Sequence, residues 1–373
     1  MPAKIPATVV TGFLGAGKTT LIRHLLEQAG GKRIALVINE FGDLGVDGEI
    51  VKGCGIEGCG EDEIVELSNG CICCAVADDF IPALEKLLAL DPAPDHIVIE
   101  TSGLALPQPL VRAFGWPAVR TRVTVDGVIA VVDGPAAAEG RFAADLSAVE
   151  RQRAADDNLD HLTPLAELFE DQLASADMIL VNKADLMDDA GTAGLSARIT
   201  AKTRPGVQVR PTTNGRVPLE VLLGLGIGAE EDLEARAEIH HRHDDDHHHD
   251  DDDHDHHDDH DHHHHDHGHD AFESVVLEIG EVADAEMLSR SVAQAIATHG
   301  LLRVKGFARV AGKPMRLVVQ AVGPRVETYF DRPFAPGEAA QGRLVVIGEA
   351  GIDRAAVAAS LTAPSNDAAT AAE

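Results

Sequence analysis

The sequence predicts an α/β domain with a mostly parallel sheet, followed by a smaller C-terminal α+β domain. Short apolar runs alternate with helical segments up to about residue 228, and such alternation favours a parallel sheet covered by helices on both sides. The composition then changes abruptly at His240, which indicates a boundary. Strand-like runs resume at Phe272. The predicted divisions are a first domain over 1–229, a linker over 230–271, a second domain over 272–361 and a tail over 362–373.

Each predicted strand of the first domain is a short apolar run. We place these strands at 7–11, 33–38, 95–99, 126–132, 178–181 and 206–209. Because parallel strands bring their carboxyl ends to one edge of the sheet, we expect the ligand-binding loops there. In the second domain we predict strands at 274–279, 301–310, 315–321 and 344–347, with helices at 285–297 and 354–361. That domain shows no motif for catalysis, and the polar, alanine-rich tail is predicted to be disordered.

The chain is strongly acidic, with a formal charge of −31 over 373 residues. Part of this charge lies in the tract from His240 to Asp270, where 13 Asp accompany a single Arg. The remainder is acidic too and lacks a basic stripe that could bind phosphate backbones, so we expect no nucleic-acid partner. No apolar run reaches the length of a membrane span, and we therefore expect no membrane insertion.

The most specific motif is the stretch Gly12–Thr19, which reads GFLGAGKT and lies between an apolar run and an amphipathic helix. In a loop of this kind backbone N–H groups surround phosphates, assisted by the positive end of the helix dipole. Lys18 would reach the β- and γ-phosphates, and the Thr19 hydroxyl would bind Mg²⁺. The alternative, a glycine-rich turn without a ligand, does not explain the strand–loop–helix context. The predicted nucleotide contacts from this loop are Gly12, Gly15, Ala16, Gly17, Lys18, Thr19 and Thr20.

A second motif predicts which base is bound. The buried strand predicted at 178–181 ends in Asn182, Lys183, Ala184 and Asp185. A carboxylate there can accept hydrogen bonds from N1–H and the exocyclic amine of guanine, and adenine offers no such pair of donors. We therefore predict GTP rather than ATP, bound through Asn182, Lys183 and Asp185.

A third element supplies an acid near the γ-phosphate. The apolar residues 97–99 predict a central strand, and Glu100 follows at its carboxyl end, where Mg²⁺ or the attacking water would lie. The alternative is a surface acid at the start of a turn. We predict Lys18 and Glu100 as the catalytic residues. The segment Asn39–Asp43 occupies the position of a nucleotide-sensing loop, and Glu40 is a possible metal ligand there.

The cysteines are clustered and indicate a metal site. All five lie between residues 54 and 74, at Cys54, Cys59, Cys71, Cys73 and Cys74. Their number is odd, and we expect no secretory leader and a cytoplasmic location, so a disulfide framework is disfavoured. The C-x-C spacing lets two thiolates converge on one ion such as Zn²⁺, Co²⁺ or Cu⁺, and the third cysteine either joins them or packs inward. A purely structural zinc site and inert buried thiols are the alternatives.

These motifs resemble the CobW family of P-loop GTPases along the whole chain. The stretches that carry the resemblance are, in order, GFLGAGKT, NEFG, SNGCICC, IVIETSG and LVNKAD. The added segment Cys54–Cys59 and the stretch Phe114–Trp116 are most similar to the cobalamin-biosynthesis branch of that family. The resemblance implies a GTP-dependent metallochaperone that delivers Co²⁺ to a cobaltochelatase. It also implies Cys71 and Cys73 as metal ligands, with Cys74 as a further candidate, and a C-terminal domain that serves docking or metal transfer.

The linker over 230–271 is predicted to be disordered, and its composition suits weak metal binding. Sixteen of the 20 histidines lie between His240 and His269, interleaved with aspartates. Imidazole and carboxylate groups bind Zn²⁺, Co²⁺, Ni²⁺ and Cu²⁺, so this tract is a candidate low-affinity metal reservoir. The alternative is a spacer that only keeps the chain solvated.

We expect slow intrinsic GTP hydrolysis, with the GTP state tightening metal binding and hydrolysis releasing the ion. Two alternatives stay open. The first is a chaperone of the same family with Zn²⁺ as its cargo, since the thiolates accept either ion. The second is a passive metal-storage protein whose GTPase domain is vestigial. The sequence does not predict the oligomeric state.

Overall fold

The computed structural model describes residues 4–39, 64–67, 80–155, 164–223, 272–334 and 341–362. Several predicted features lie outside these residues. They are Glu40, the five cysteines, the His240–His269 tract and the tail after residue 362.

In its described residues the first domain is built on a sheet of seven strands, and every pairing among them is parallel. Its strands are β1 (Ile5–Thr11), β2 (Ile34–Asn39), β3 (Ile64–Leu67), β4 (His96–Glu100), β5 (Val123–Asp133), β6 (Met178–Asn182) and β7 (Gln208–Pro211). The strand order is β3-β2-β4-β1-β5-β6-β7. This confirms the predicted α/β fold and places the ends of β1, β4, β5 and β6 side by side.

Helices cover both faces of this sheet because its strands are apolar on both sides. They are α1 (Lys18–Glu27), α2 (Ile81–Leu88), α3 (Pro107–Ala113), α4 (Gly134–Ala138), α5 (Leu146–Ala155), α6 (Leu165–Ser175), α7 (Asp189–Thr200) and α8 (Leu219–Leu223). The alternation along β1 shows the two layers. Val10 belongs to the core that contains Leu21 and Leu25 of α1, and Val9 belongs to the opposite core, with Leu84 and Leu87 of α2.

The described part of the second domain is a five-stranded antiparallel sheet with two helices, in agreement with the predicted α+β pattern. Its elements are β8 (Phe272–Ile279), α9 (Ala285–His299), β9 (Arg303–Arg309), β10 (Met315–Val322), β11 (Arg325–Pro333), β12 (Gly342–Glu349) and α10 (Arg354–Thr362). The strand order is β11-β10-β9-β12-β8. Helix α9 begins where Asp284 accepts a hydrogen bond from Met287 N, and it ends at Gly300 with a φ of 64°.

Two strands were not predicted. Strand β3 has only four residues, too few to show a periodic pattern, and it lies at the edge of the parallel sheet. Strand β11 is also an edge strand, and its residues are mostly polar or half-buried, so it lacks the apolar run that marked the other strands. The register of β10 and β11 pairs Val322 with Arg325, which leaves a two-residue turn between them.

One of the hydrophobic clusters contains side chains from both domains. Leu302, Val322, Val345 and Ile347 of the second domain belong to the same buried cluster as Leu21 and its neighbours in α1. Among the helices of the described ranges, none has the length and apolar character needed to cross a bilayer.

At the centre of this contact Arg303 makes a buried ion pair with Asp126 of β5. The Arg303 guanidinium donates to both Asp126 carboxylate oxygens at 2.9 and 2.8 Å, and to the carbonyls of Val221 and Leu222 at the end of α8. Burial alone would raise the pKa of Asp126, but the adjacent Arg303 holds that pKa below its usual value.

His96 lies in the same buried region, at the start of β4. Its Nε2 is 2.9 Å from the Thr8 hydroxyl, and that hydroxyl donates a 3.4 Å hydrogen bond to Asp126. Burial lowers the pKa of His96 from 6.5 to about 3, although the nearby Asp126 carboxylate opposes this shift. The imidazole is therefore neutral in the folded protein at pH 7.

Candidate nucleotide site

The loop between β1 and α1 has the backbone of a phosphate-binding loop. Gly12, Gly15 and Gly17 have φ values of 141°, 76° and 104°, a region that side chains other than glycine rarely adopt. Two of them also lack room for a side chain. A Cβ on Gly12 would lie 2.1 Å from Val131 O, and one on Gly17 would lie 2.2 Å from Asn182 Nδ2. The conformation thus depends on glycine at these positions.

Lys18 is the first residue of α1, and its side chain folds back over the loop. Its ammonium donates hydrogen bonds to Gly12 O at 2.8 Å and to Phe13 O at 3.3 Å, and the residue is buried. The first turn of α1 contains no acidic residue that would compete for the helix N-terminus. This combination of a cation and a helix N-terminus suits an anionic phosphate.

Thr19 and Glu100 meet beside Lys18. The Thr19 hydroxyl donates a 3.2 Å hydrogen bond to Glu100 Oε1, and Glu100 is buried, so it is not the surface acid that the alternative interpretation required. Hydroxyl and carboxylate oxygens are the ligands that Mg²⁺ prefers. A cavity of about 390 Å³ opens here, lined by Leu14, Gly15, Gly17, Lys18, Thr19, Thr20, Arg23 and Glu100.

The motif that we predicted to bind the base follows β6, and a hydrogen bond joins it to the phosphate loop. Asn182 Nδ2 donates to Ala16 O at 2.9 Å, and Asn182 Oδ1 accepts from Gly215 N at 2.9 Å. Asn182 therefore braces two loops of the site against each other. Asp185 lies in the short 3₁₀ turn Ala184–Leu186, where its carboxylate is exposed.

Lys183 and Asp133 form an ion pair. The sequence indicated Lys183 but not Asp133. Lys183 adopts a left-handed φ of 61°, and its Nζ lies 2.6 Å from Asp133 Oδ2. The other carboxylate oxygen of Asp133 accepts from Ala136 N and so caps α4. The signal that could have found Asp133 is the one that marked Glu100, an acid directly after a buried strand.

Gln172 of α6 is a second residue that the sequence did not indicate. Its side-chain amide is buried and donates 3.1 Å hydrogen bonds to Gly103 O and Ala105 O, which fixes the loop after β4. A single glutamine in an amphipathic helix has no recognisable pattern, so no signal could have identified it. The phosphate loop is braced from the same side, since Phe13 packs on Phe142 and Phe169 with ring centroids 5.8 Å apart in each case.

The predicted cargo site is made of other residues than the nucleotide site. Cys71, Cys73, Cys74 and Glu40 lie outside the described residues, as do Cys54 and Cys59. Within the described ranges, no group of three or more His, Cys, Asp and Glu side chains could hold a metal ion.

Comparison with known proteins gives matches to both domains. The family model for the CobW/HypB/UreG nucleotide-binding domain matches residues 6–211, and that for the cobalamin synthesis protein cobW C-terminal domain matches residues 272–364. A Sinorhizobium sp. protein named Zinc chaperone CobW is 53% identical over 360 residues, covering 96% of this chain and 97% of the relative. A Pseudomonas aeruginosa protein of the same name is 49% identical over 363 residues, covering 96% and 91%.

Among solved structures, the Zn(II)-bound YjiA GTPase from E. coli is similar over 96% of this chain and 98% of its own, with 24% identity and a TM-score of 0.39. The family assignment rests on the sequence matches. Because these matches cover both domains in order, at about half identity over nearly the whole length, the chain belongs to the CobW family of nucleotide-binding proteins.

Proposed function

We propose that the protein is a GTP-hydrolysing metal chaperone, and that its cargo is Zn²⁺. The observation that carries this proposal is the assembled phosphate site, in which Lys18, Thr19 and Glu100 meet at the carboxyl edge of the sheet. A metal-storage protein would have no need for such a site. The relatives at 53% and 49% identity, both named zinc chaperones, support the choice of cargo.

In this proposal the phosphates of GTP bind the N–H groups of the loop 12–17, and Lys18 exchanges its carbonyl partners for phosphate oxygens. Thr19 and Glu100 would hold Mg²⁺, directly or through water, and the cation neutralises charge on the phosphates. Asp185 would accept hydrogen bonds from guanine, because its carboxylate is exposed at the end of β6. Asn182 contributes by holding the phosphate loop in register with that base site.

The cargo would bind the thiolates of Cys71, Cys73 and Cys74. Zn²⁺ normally binds a given ligand set more tightly than Co²⁺, so a thiolate site loads with zinc unless zinc is scarce. Cobalt with a cobaltochelatase as acceptor is the second candidate. The match of residues 272–364 to the cobalamin synthesis protein cobW C-terminal domain favours it.

Coupling between the two sites would give the nucleotide its purpose. If GTP tightens metal binding, linkage requires the metal to tighten GTP binding by the same factor. Hydrolysis then weakens the metal site next to an acceptor, and intrinsic turnover is slow so that the loaded state persists.

The test is a competition titration of Zn²⁺ and Co²⁺ against a chelator, with Mg²⁺ and a non-hydrolysable GTP analogue, GDP or no nucleotide. The full chain is used, and the chelator keeps free metal below the level at which the His240–His269 tract loads. A Cys73→Ser variant is the matched control.

Tight binding only with the GTP analogue, lost in the Cys73→Ser variant, is the expected result. The ratio of the two metal affinities, set against the free levels of the two ions, then identifies the cargo. Equal affinity in all three nucleotide states would contradict a nucleotide-gated chaperone and leave a metal-binding protein with an independent GTP site.

A further inference from the structure

The loop after β4 touches the phosphate loop at one point. A Cβ built on Gly103 would lie 2.8 Å from Leu14 N and 3.4 Å from Leu14 Cα, so the two backbones are in direct contact there. Leu14 lines the cavity of the nucleotide site, and Gly103 follows Glu100, which lines the same cavity, by three residues. Gly103 therefore lies against a residue that lines the nucleotide cavity.

A side chain from α5 reaches the same point. Val149 packs fully buried in the cluster that contains Phe13 and Leu104, and Gln152 lies one turn further along α5 on the same face. Gln152 Oε1 is 3.3 Å from the Cβ position on Gly103. This oxygen is buried, and no described residue gives it a hydrogen bond. A buried amide oxygen without a partner opposes folding and so calls for an explanation.

GTP hydrolysis needs a group that orients the attacking water, and in other P-loop GTPases a glutamine does this. Here the residue directly after Gly103 is Leu104, which is 1% exposed and packs in the core with Phe13 and Val149. Its side chain can neither hydrogen-bond a water nor reach the cavity. Gln152 instead places an amide oxygen at the contact between Gly103 and Leu14, and Leu14 lines the cavity.

We propose that Gln152 is a catalytic residue, whose Oε1 accepts a hydrogen bond from the water that attacks the γ-phosphorus. The water oxygen bonds to the phosphorus while the bond from phosphorus to the β,γ-bridging oxygen breaks. The electron pair leaves with GDP, and the proton of the water passes to the released phosphate. The inference rests on the proposed GTPase function, which it deepens.

The test compares Gln152→Met with the parent and with Arg151→Met, all in the full chain. Methionine keeps the length of the side chain but cannot orient a water. Arg151 is a matched control because it directly precedes Gln152 on α5 and its side chain is 72% exposed. Three quantities are measured: single-turnover hydrolysis of GTP, the affinity for a fluorescent GTP analogue, and the melting temperature.

We expect hydrolysis to fall about tenfold to hundredfold in Gln152→Met. Analogue affinity should stay within about twofold, and the melting temperature should be equal or higher because a polar atom without a partner has been removed. Arg151→Met should match the parent.

Hydrolysis within about twofold of the parent would overturn the role of Gln152, and so would an equal loss of analogue binding, since Gln152 would then act in binding alone. A parent protein that binds GTP but never hydrolyses it would instead overturn the GTPase function itself.

Discussion

Two regions of the molecule place charged groups next to each other, and they do so in opposite ways. At the domain interface Arg303 and Asp126 are buried, and the guanidinium is fully engaged by two carboxylate oxygens and two carbonyls. At the nucleotide site the charged groups line an open cavity or lie at the surface. Thr19 meets Glu100 at 3.2 Å, and Asp185 is exposed. The groups of a structural ion pair thus use their hydrogen bonds on each other, whereas a binding site leaves polar groups accessible to a ligand.

The largest expected effect is a loss of stability when the ion pair at the domain interface is removed. Arg303→Met leaves the Asp126 carboxylate buried without its cation, so we expect the free energy of unfolding to fall by about 3–5 kcal/mol, measured in urea. The matched control is Arg309→Met on the same strand, whose exposed pair with Glu281 should contribute at most about 1 kcal/mol. Equal losses in the two variants would contradict the contrast between buried and exposed pairs. Adding Asp126→Asn to Arg303→Met should recover part of the loss.

The second effect is a loss of activity at the nucleotide site in a protein that stays folded. Lys18→Ala removes the cation that would contact the phosphates, so we expect GTP hydrolysis to fall by about 10²–10³-fold. Phosphate release is measured together with binding of a fluorescent GTP analogue. Lys32→Ala is the control, because that lysine is exposed in the turn after α1. Hydrolysis in Lys18→Ala within a few-fold of the parent would show that the cavity is not the site of reaction.

The third effect is a pH dependence of the free energy of unfolding, which arises from His96 near the interface ion pair. The pKa of His96 is about 3 in the folded protein and near 6.5 in the unfolded chain, so only the unfolded chain takes up this proton as the pH falls. The contribution to stability is complete above pH 6.5 and is lost between pH 6.5 and 3. From pH 6.5 to 5 we expect a loss of about 2 kcal/mol from this group.

Urea unfolding at several pH values checks this, with His96→Gln expected to show a smaller slope than the parent. His299→Gln is the control, since His299 is half-buried and hydrogen-bonds Ser360 of the second domain itself. Parallel slopes for the parent and His96→Gln would mean that His96 is not the group responsible.

The smallest expected effect is a loss of GTP affinity at the predicted base site. Asp185→Asn replaces the carboxylate that would accept two guanine donors, so we expect about tenfold weaker GTP binding, measured by competition with a fluorescent analogue. The melting temperature should not change, because Asp185 is exposed. Asp189→Asn, at the first residue of α7, is the control and should bind GTP like the parent. Unchanged affinity in Asp185→Asn would remove the argument for guanine.

The sequence predicted those features that depend on local pattern. The glycines of the phosphate loop are required by the backbone, Glu100 follows an apolar run, and the strands from β1 to β7 other than β3 lie within a few residues of their predicted positions. These features are visible because one short segment determines each of them.

The features that were missed depend on distant segments meeting. Arg303 and Asp126 are 177 residues apart, and neither has a local signature that marks it as buried. Gln172 acts on a loop 67 and 69 residues away. Asp133 pairs with Lys183 across neighbouring strands, a contact that only the strand order reveals. Such partners follow from the fold and not from a pattern of residue types.

The hydrophobic cluster with side chains from both domains has a consequence for how the molecule comes apart. Leu302 and Val345 complete the cluster that also buries Leu21 and Leu25 of the helix that begins at Lys18. Because side chains of both halves form this cluster, cleaving the peptide chain between Leu223 and Phe272 should leave two fragments that stay associated and melt in one cooperative transition. The halves are then one folding unit, and what the chain between them contributes is something other than attachment.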